Sequence, residues 1–307
     1  MAEINYTGGM TAKNKPIIRK LGGFDIHVSE ATPLVYKNRL VRFETVKPHF
    51  RVRDVLTGEC SSPCGSDCRF GSGYTENDVI YGFGSVTRGR EASNNGLGLD
   101  QIKMFWTDDL KNWQEKIILE RPGWTLFNTS VCKGPDGYVM AIEVGSPADL
   151  VGVRFTMFFA TSKDLFHWEM MPLDRVYSKL RYTACPAIRY LEDGYYYMIY
   201  LEELPLTRYA PYIVRTRDFV DWEIGLHNPI MFWDDEDRKP KPGVHFTPEE
   251  LVLIKTRYNI NNSDVDLCEF AGHTHIVYGS GDQQTCSCYC EATYDGPMDQ
   301  FLKAFFE

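Results

Sequence analysis

Trp106-Thr107-Asp108-Asp109-Leu110-Lys111-Asn112-Trp113 returns twice in the chain. Its copies are Thr161-Ser162-Lys163-Asp164-Leu165-Phe166-His167-Trp168 and Arg215-Thr216-Arg217-Asp218-Phe219-Val220-Asp221-Trp222. Each copy ends an apolar run, then gives Asp, an apolar residue, two variable residues and Trp. The Asp positions 109, 164 and 218 lie 55 and 54 residues apart. A strand-rich period of about 50 residues is the mark of propeller blades. Asp in such a turn accepts hydrogen bonds from backbone N–H groups, and the Trp opens the next strand and packs between neighbours. The motif is expected to carry the fold and no chemistry.

Period-2 alternation and turn residues extend the pattern outward. Pro135-Asp136-Gly137 and Glu192-Asp193-Gly194 mark equivalent hairpin turns. The expected fold is an all-β, five-bladed β-propeller forming a single domain over 1–307. Its blades span about 30–60, 69–120, 125–172, 182–226 and 261–306. A strand at Pro16–Lys20 is expected to close the ring on the last blade, with 301–306 standing where the other blades carry their Trp strand. The stretch of about 226–260 is an insertion, with a short helix opening at Thr247-Pro248-Glu249-Glu250.

Composition narrows the function. The 307 residues are 43% hydrophobic and 24% charged, as in soluble globular proteins. No run reaches the ~18 apolar residues of a membrane helix, so no membrane partner is expected. Net charge is -9 and no Lys/Arg run exceeds two, which argues against nucleic acid. Aromatic residues make up 14%, which suits strands and sugar-binding surfaces. The start of the chain lacks the apolar core of a secretory signal, so the expectation is a cytoplasmic protein, or a secreted or periplasmic one if a leader was removed. Nine cysteines cannot all pair within one chain and read as mostly reduced.

In a propeller, the starts of first strands and the ends of second strands converge on one axial pocket. First-strand starts are Glu30 with Thr32, Gly71 with Ser72, Asn128 with Thr129, Thr183 with Cys185, and Asn262 with Asp264 and Asp266. Second-strand ends are Glu44, Ser85, Glu143, Glu202 with Glu203, and Asp282. Carboxylates thus recur at equivalent places in four blades. Crowded acids raise one another's pKa values, and carboxyls with separated pKa values are what glycoside hydrolysis uses. Asn261-Asn262-Ser263-Asp264-Val265-Asp266 is the sharpest case, because Asn and Asp are depleted in strands. Asp264 and Asp266, two residues apart, are expected on one strand face.

With these turns, and first strands ending in Gly-x-Tyr-Tyr, the chain resembles the five-bladed β-propeller glycoside hydrolases, the group of families 43, 62, 32, 117 and 130. The resemblance covers about residues 28–306. For family 43 it implies an axial Asp base, a pKa-tuning Asp and a Glu acid. For family 32 it implies an acid Glu in Glu-Cys-Pro. This chain departs from both: Thr32-Pro33 stands for the Asp-Pro of the first blade, Ala184 precedes Cys185-Pro186, and Asn128-Thr129-Ser130 has no acid. Family 117 relatives use a His acid, which keeps His49, His273 and His275 in view.

The expected function is therefore a glycoside hydrolase that removes a terminal sugar at a carboxylate-lined axial pocket, with inversion. Glu30 and Asp264 are the expected acid/base pair, in either order, with Glu143 or Glu202 as the third carboxylate. His49, Arg51, Asn128, Arg181, Thr183, Asn262, Asp266 and Asp282 are expected to bind the carbohydrate substrate. Tyr74, Trp124, Phe127, Tyr182 and Trp233 are candidates to stack on a sugar ring. The loops 86–100, 144–153 and 226–260 would close the pocket. No cofactor and no catalytic metal are expected. Cys60, Cys64 and Cys68, and Cys286, Cys288 and Cys290, have spacings that could hold a metal or a disulfide, but read better as small packing residues. A phosphate-dependent phosphorylase using His49, Arg51 and Arg181, a retaining enzyme, and a non-catalytic sugar-binding propeller are the alternatives.

Overall fold

The computed structural model describes residues 15–87, 99–282 and 287–307. Strand β1 (Arg19–Asp25) is followed by antiparallel meanders. The first holds β2 (Val28–Tyr36), β3 (Arg39–Val46) and β4 (His49–Asp54). The second holds β5 (Cys68–Glu76), β6 (Val79–Val86), β7 (Gln101–Thr107) and β8 (Gln114–Glu120). The third holds β9 (Thr125–Gly134), β10 (Gly137–Ser146), β11 (Thr156–Ser162) and β12 (Trp168–Met170). The fourth holds β13 (Ala184–Tyr190), β14 (Tyr196–Leu204), β15 (Arg208–Thr216) and β16 (Trp222–Ile224). The fifth holds β17 (Asn261–Phe270), β18 (His273–Gly281) and β19 (Ser287–Tyr294). A single parallel pair, Tyr209 with Asn261, joins the last two groups into one eight-stranded sheet. Each first strand packs beside the next, β2 by β5, β5 by β9, β9 by β13 and β13 by β17, and β17 lies beside β2.

The repeated motif does what its residues require. Asp109 accepts from the N–H of Lys111 and Asn112, each at 2.8 Å. Asp164 does the same for Phe166 and His167, and Asp218 for Val220 and Asp221. The apolar residue after each Asp takes positive φ, at Leu110, Leu165 and Phe219. Few side chains tolerate that without such local bonds. The three Trp residues reach across to the preceding group: Trp113 to Phe43, Trp168 to Phe83 and Trp222 to Phe159. Edge or stacked aromatic pairs add about 0.5–1.5 kcal/mol beyond burial. Strands such as β10 are buried along most of their length because both faces are covered.

The closing strand differs from expectation. It runs over Arg19–Asp25, not Pro16–Lys20, and pairs antiparallel with β19. Gly23 is required there, because a Cβ would collide with the Cys288 sulfur. Residues 301–306 are not a strand; helix α3 (Met298–Lys303) covers that end, and β1 takes the fourth place. In the insertion, the expected helix opening at Thr247 is α2 (Pro248–Thr256), and it carries a Thr247/Glu250 capping box. Short helix α1 (Ala148–Val151) lies in the 144–153 loop. Part of the 86–100 loop, and Cys286, lie outside the described residues.

Candidate active site

All five first strands reach one small cavity of about 30 Å3. It is lined by Glu30 and Thr32, Gly71 and Ser72, Asn128 and Thr129, Cys185 and Pro186, and Asp264 and Asp266, with Tyr289 closing one side. Side-chain hydrogen bonds lace neighbouring first strands together. The Gly73 N–H donates to Thr32 Oγ1 at 3.1 Å, Ser72 and Thr129 share a bond of 2.8 Å, and the Ile188 N–H donates to Ser130 Oγ at 3.0 Å. Bulges interrupt the pairing of these strands at the cavity. Phe70, Cys185 and Asp264 take positive φ there, at 59°, 51° and 50°. A Phe in this region is a strained conformation that persists only where its surroundings enforce it.

Glu30 and Asp264 face the cavity, and Glu143 lies just behind it, 3% exposed. Cys185 N–H and Asn128 Nδ2 donate to the same Glu143 oxygen, at 2.7 and 3.1 Å. Burial, then the Asp264 charge, pushes the Glu30 carboxyl up to about 7. Burial likewise pushes Glu143 up to about 8 against those two hydrogen bonds, with the charges of Asp264 and Glu30 adding to it. Burial also raises Asp264, against hydrogen bonds from Ser263 and Cys185. The Asp264 charge acts on both glutamates. No Lys or Arg forms an ion pair with any of the three among the described residues; Lys47 acts on Glu30 only through its field.

The other expected residues are placed as follows. Asp266 lines the cavity, but Arg189 holds it. Thr183 is fully buried and donates to the Phe155 carbonyl at 2.9 Å. Asn262 is fully buried and bonds Asp237 of the insertion at 3.1 Å. Glu202 accepts Arg181 Nε on both oxygens, each at 3.1 Å, and also takes the Tyr200 hydroxyl. Arg51 bonds Glu44 at 2.8 Å and Asp25 at 3.4 Å. Glu44, at the end of β3, is fully buried and also takes Arg42. His49 opens β4 opposite Val46, and Asp282 follows β18. His273 and His275 line a different cleft, of about 1440 Å3, between β1, β19 and α3. They open β18, whose other end approaches the cavity, so the strand's length separates them from it. Tyr289 was not singled out by the sequence; Cys185 was placed at a first-strand start facing the axis but not among the substrate-binding residues. The bulge that turns Cys185 inward has no sequence signal of its own, since a residue before Pro is biased to extended backbone.

Larger clefts exist, of about 1440 Å3 and, between the β9–β10 and β11–β12 turns, about 800 Å3. Neither is lined by Glu30, Glu143 or Asp264. The small cavity is taken as the site because the raised carboxyls converge there. No cluster of three or more His, Cys, Asp or Glu able to hold a metal occurs among the described residues.

No protein-family model and no curated protein sequence matches the chain. Solved structures do. An α-L-arabinofuranosidase of Podospora anserina, solved with cellotriose, superposes with a TM-score of 0.61 at 8% identity, over 92% of this chain and 99% of that one. A protein described as a glycoside hydrolase gives 0.60 at 14% identity over 92% and 93%. The endo-arabinase of Bacteroides thetaiotaomicron gives 0.57 at 13% over 91% and 99%. The chain therefore shares the all-β fold of these glycoside hydrolases.

Proposed function

We propose that the five meanders are the blades of a five-bladed β-propeller, one domain across the described residues, and that the protein is a glycoside hydrolase. The observation that carries this reading is the group of three carboxyls at the strand-lined cavity with no cation paired to them among the described residues. Asp264, whose charge acts on both glutamates, is the base. Glu30, protonated in part at neutral pH and open to the cavity, is the acid that protonates the leaving oxygen. Glu143 is a positioning residue: it holds Asn128 and the Cys185 backbone and keeps its own proton.

The cavity has room for about one water beside Asp264. The sugar would sit above it, which favours attack by water and inversion at a chain end. A phosphorolytic reaction has less support, because Arg51 and Arg181 are engaged by Glu44 and Glu202. Carbohydrate substrates of the arabinan type are the first to try, given the fold's neighbours. The test is product release from a panel of arabinose-, xylose- and uronate-containing oligosaccharides, with the anomeric form of the first product read by NMR. Product lost in Glu30→Gln and Asp264→Asn supports the reading. Sugar binding with no product from any member rejects the enzyme and leaves a binding propeller.

A further inference from the structure

Five aromatic rings run in an unbroken arc beside the cavity. Phe70 contacts Phe127 at 5.1 Å between ring centroids, Phe127 contacts Phe155 at 5.0 Å, Phe155 contacts Tyr182 at 5.5 Å, and Tyr182 contacts Tyr209 at 5.6 Å. Phe70 and Phe127 immediately precede the cavity residues Gly71 and Asn128 on β5 and β9. The first three pairs meet edge to face, at 74°, 76° and 78°. All but Phe127 keep part of their surface exposed.

Several features hold the arc in place. Phe70 takes positive φ, a conformation that a bulky residue adopts only under constraint. Thr183 donates to the Phe155 carbonyl from both its N–H and its hydroxyl, each at 2.9 Å. The Arg154 guanidinium lies 4.5 Å from the Phe155 centroid and 5.9 Å from that of Phe127. Tyr182 also links the arc to the acids: burial, then the nearby Cys185 and Glu143, raise its hydroxyl pKa. The arc borders β5, β9 and β13, while Glu30 and Asp264 stand on β2 and β17. The site therefore has an acidic side and an aromatic side.

We infer that the arc is a subsite for the ring attached to the reacting sugar, and that it takes a ring presenting an apolar face. This deepens the glycosidase reading and rests on it. A second sugar ring and an aryl aglycone share that chemistry, since both present an apolar face that can stack on Phe155, with Tyr182 standing edge to face beside it.

The test uses Glu30→Gln protein, so that no probe is consumed. For each sugar of the panel, three probes are compared by ligand-observed NMR: the methyl glycoside, the p-nitrophenyl glycoside and the disaccharide. At least one ring-bearing probe binds about tenfold more tightly than its methyl partner, and Phe155→Ala removes that advantage. Preference for the p-nitrophenyl form assigns an aryl aglycone, and preference for the disaccharide a sugar chain. Should Phe155→Ala fail to fold by circular dichroism, Phe155→Leu keeps the bulk, removes the ring and carries the same test. Equal binding of all three probes, no binding of any, or an advantage untouched at Phe155 overturns the subsite. A Phe155-dependent ring preference in a protein whose wild type turns over none of the panel leaves the subsite standing while the hydrolase reading falls.

Discussion

Two groups of buried acids meet on β17, two residues apart, and they are built in opposite ways. Asp237 of the insertion is fully buried, yet it is surrounded by donors. Lys20 of β1 reaches it at 2.8 Å, the Tyr278 hydroxyl at 2.8 Å, Asn259 at 3.0 Å and Asn262 at 3.1 Å. Burial pushes its pKa up, but Lys20 and the amides outweigh that and hold it below the ordinary value. Two residues on, Asp264 is raised, and so are Glu30 and Glu143. The first group is satisfied and ties β1, the insertion and β17 together. The second has no paired cation among the described residues, which destabilises its charged forms and makes them ready to exchange protons. Burial alone does not mark a site; burial without compensation does.

The contrast breaks most severely at the acids themselves. Glu30→Gln and Asp264→Asn each lower turnover by about 10²–10⁴-fold, while leaving the melting temperature unchanged or raised. Turnover assays with a parallel thermal melt decide it. At Asp237 the opposite holds. Lys20→Met leaves a buried charge unpaired, at a cost of about 3–5 kcal/mol. The melting temperature then falls by about 5–8 °C, with turnover per folded molecule kept.

The remaining effect is one of pH. The Glu143 pKa is raised in the folded protein, so its contribution to stability is whole below its ordinary value of 4.5 and is lost as pH rises through about 8. At about 1.4 kcal/mol per pH unit, Glu143→Gln stabilises the fold by on the order of 5 kcal/mol at pH 9 and by almost nothing at pH 4. Denaturant melts at the two pH values measure the difference.

The turns were readable because their chemistry is local: one Asp, two N–H groups and a positive-φ residue lie within five positions. The first-strand starts were readable for a related reason, since Asn and Asp interrupt apolar alternation only where something else is required. That brought Glu30, Asn128 and Asp264 to one cavity. Partners from distant sequence were not readable. Lys20 and Asp237 are 217 positions apart, and Arg42, on β3, forms an ion pair with Glu291 of β19. Asp264 and Asp266 were expected to share a face. The register shift between Ser263 and Asp266 separates their roles instead, leaving Asp264 at positive φ and drawing Asp266 to Arg189. No residue of the segment announces a bulge of this kind.

The most direct test is a carbon-13 titration of the glutamate carboxyls, assigned through Glu30→Gln and Glu143→Gln. Uncompensated burial predicts that Glu30 titrates near 7 and Glu143 near 8, and that Asp264→Asn moves both downward. If both titrate in the ordinary carboxylate range, or Asp264→Asn leaves them in place, the three acids are not coupled and the proposed acid/base pair fails.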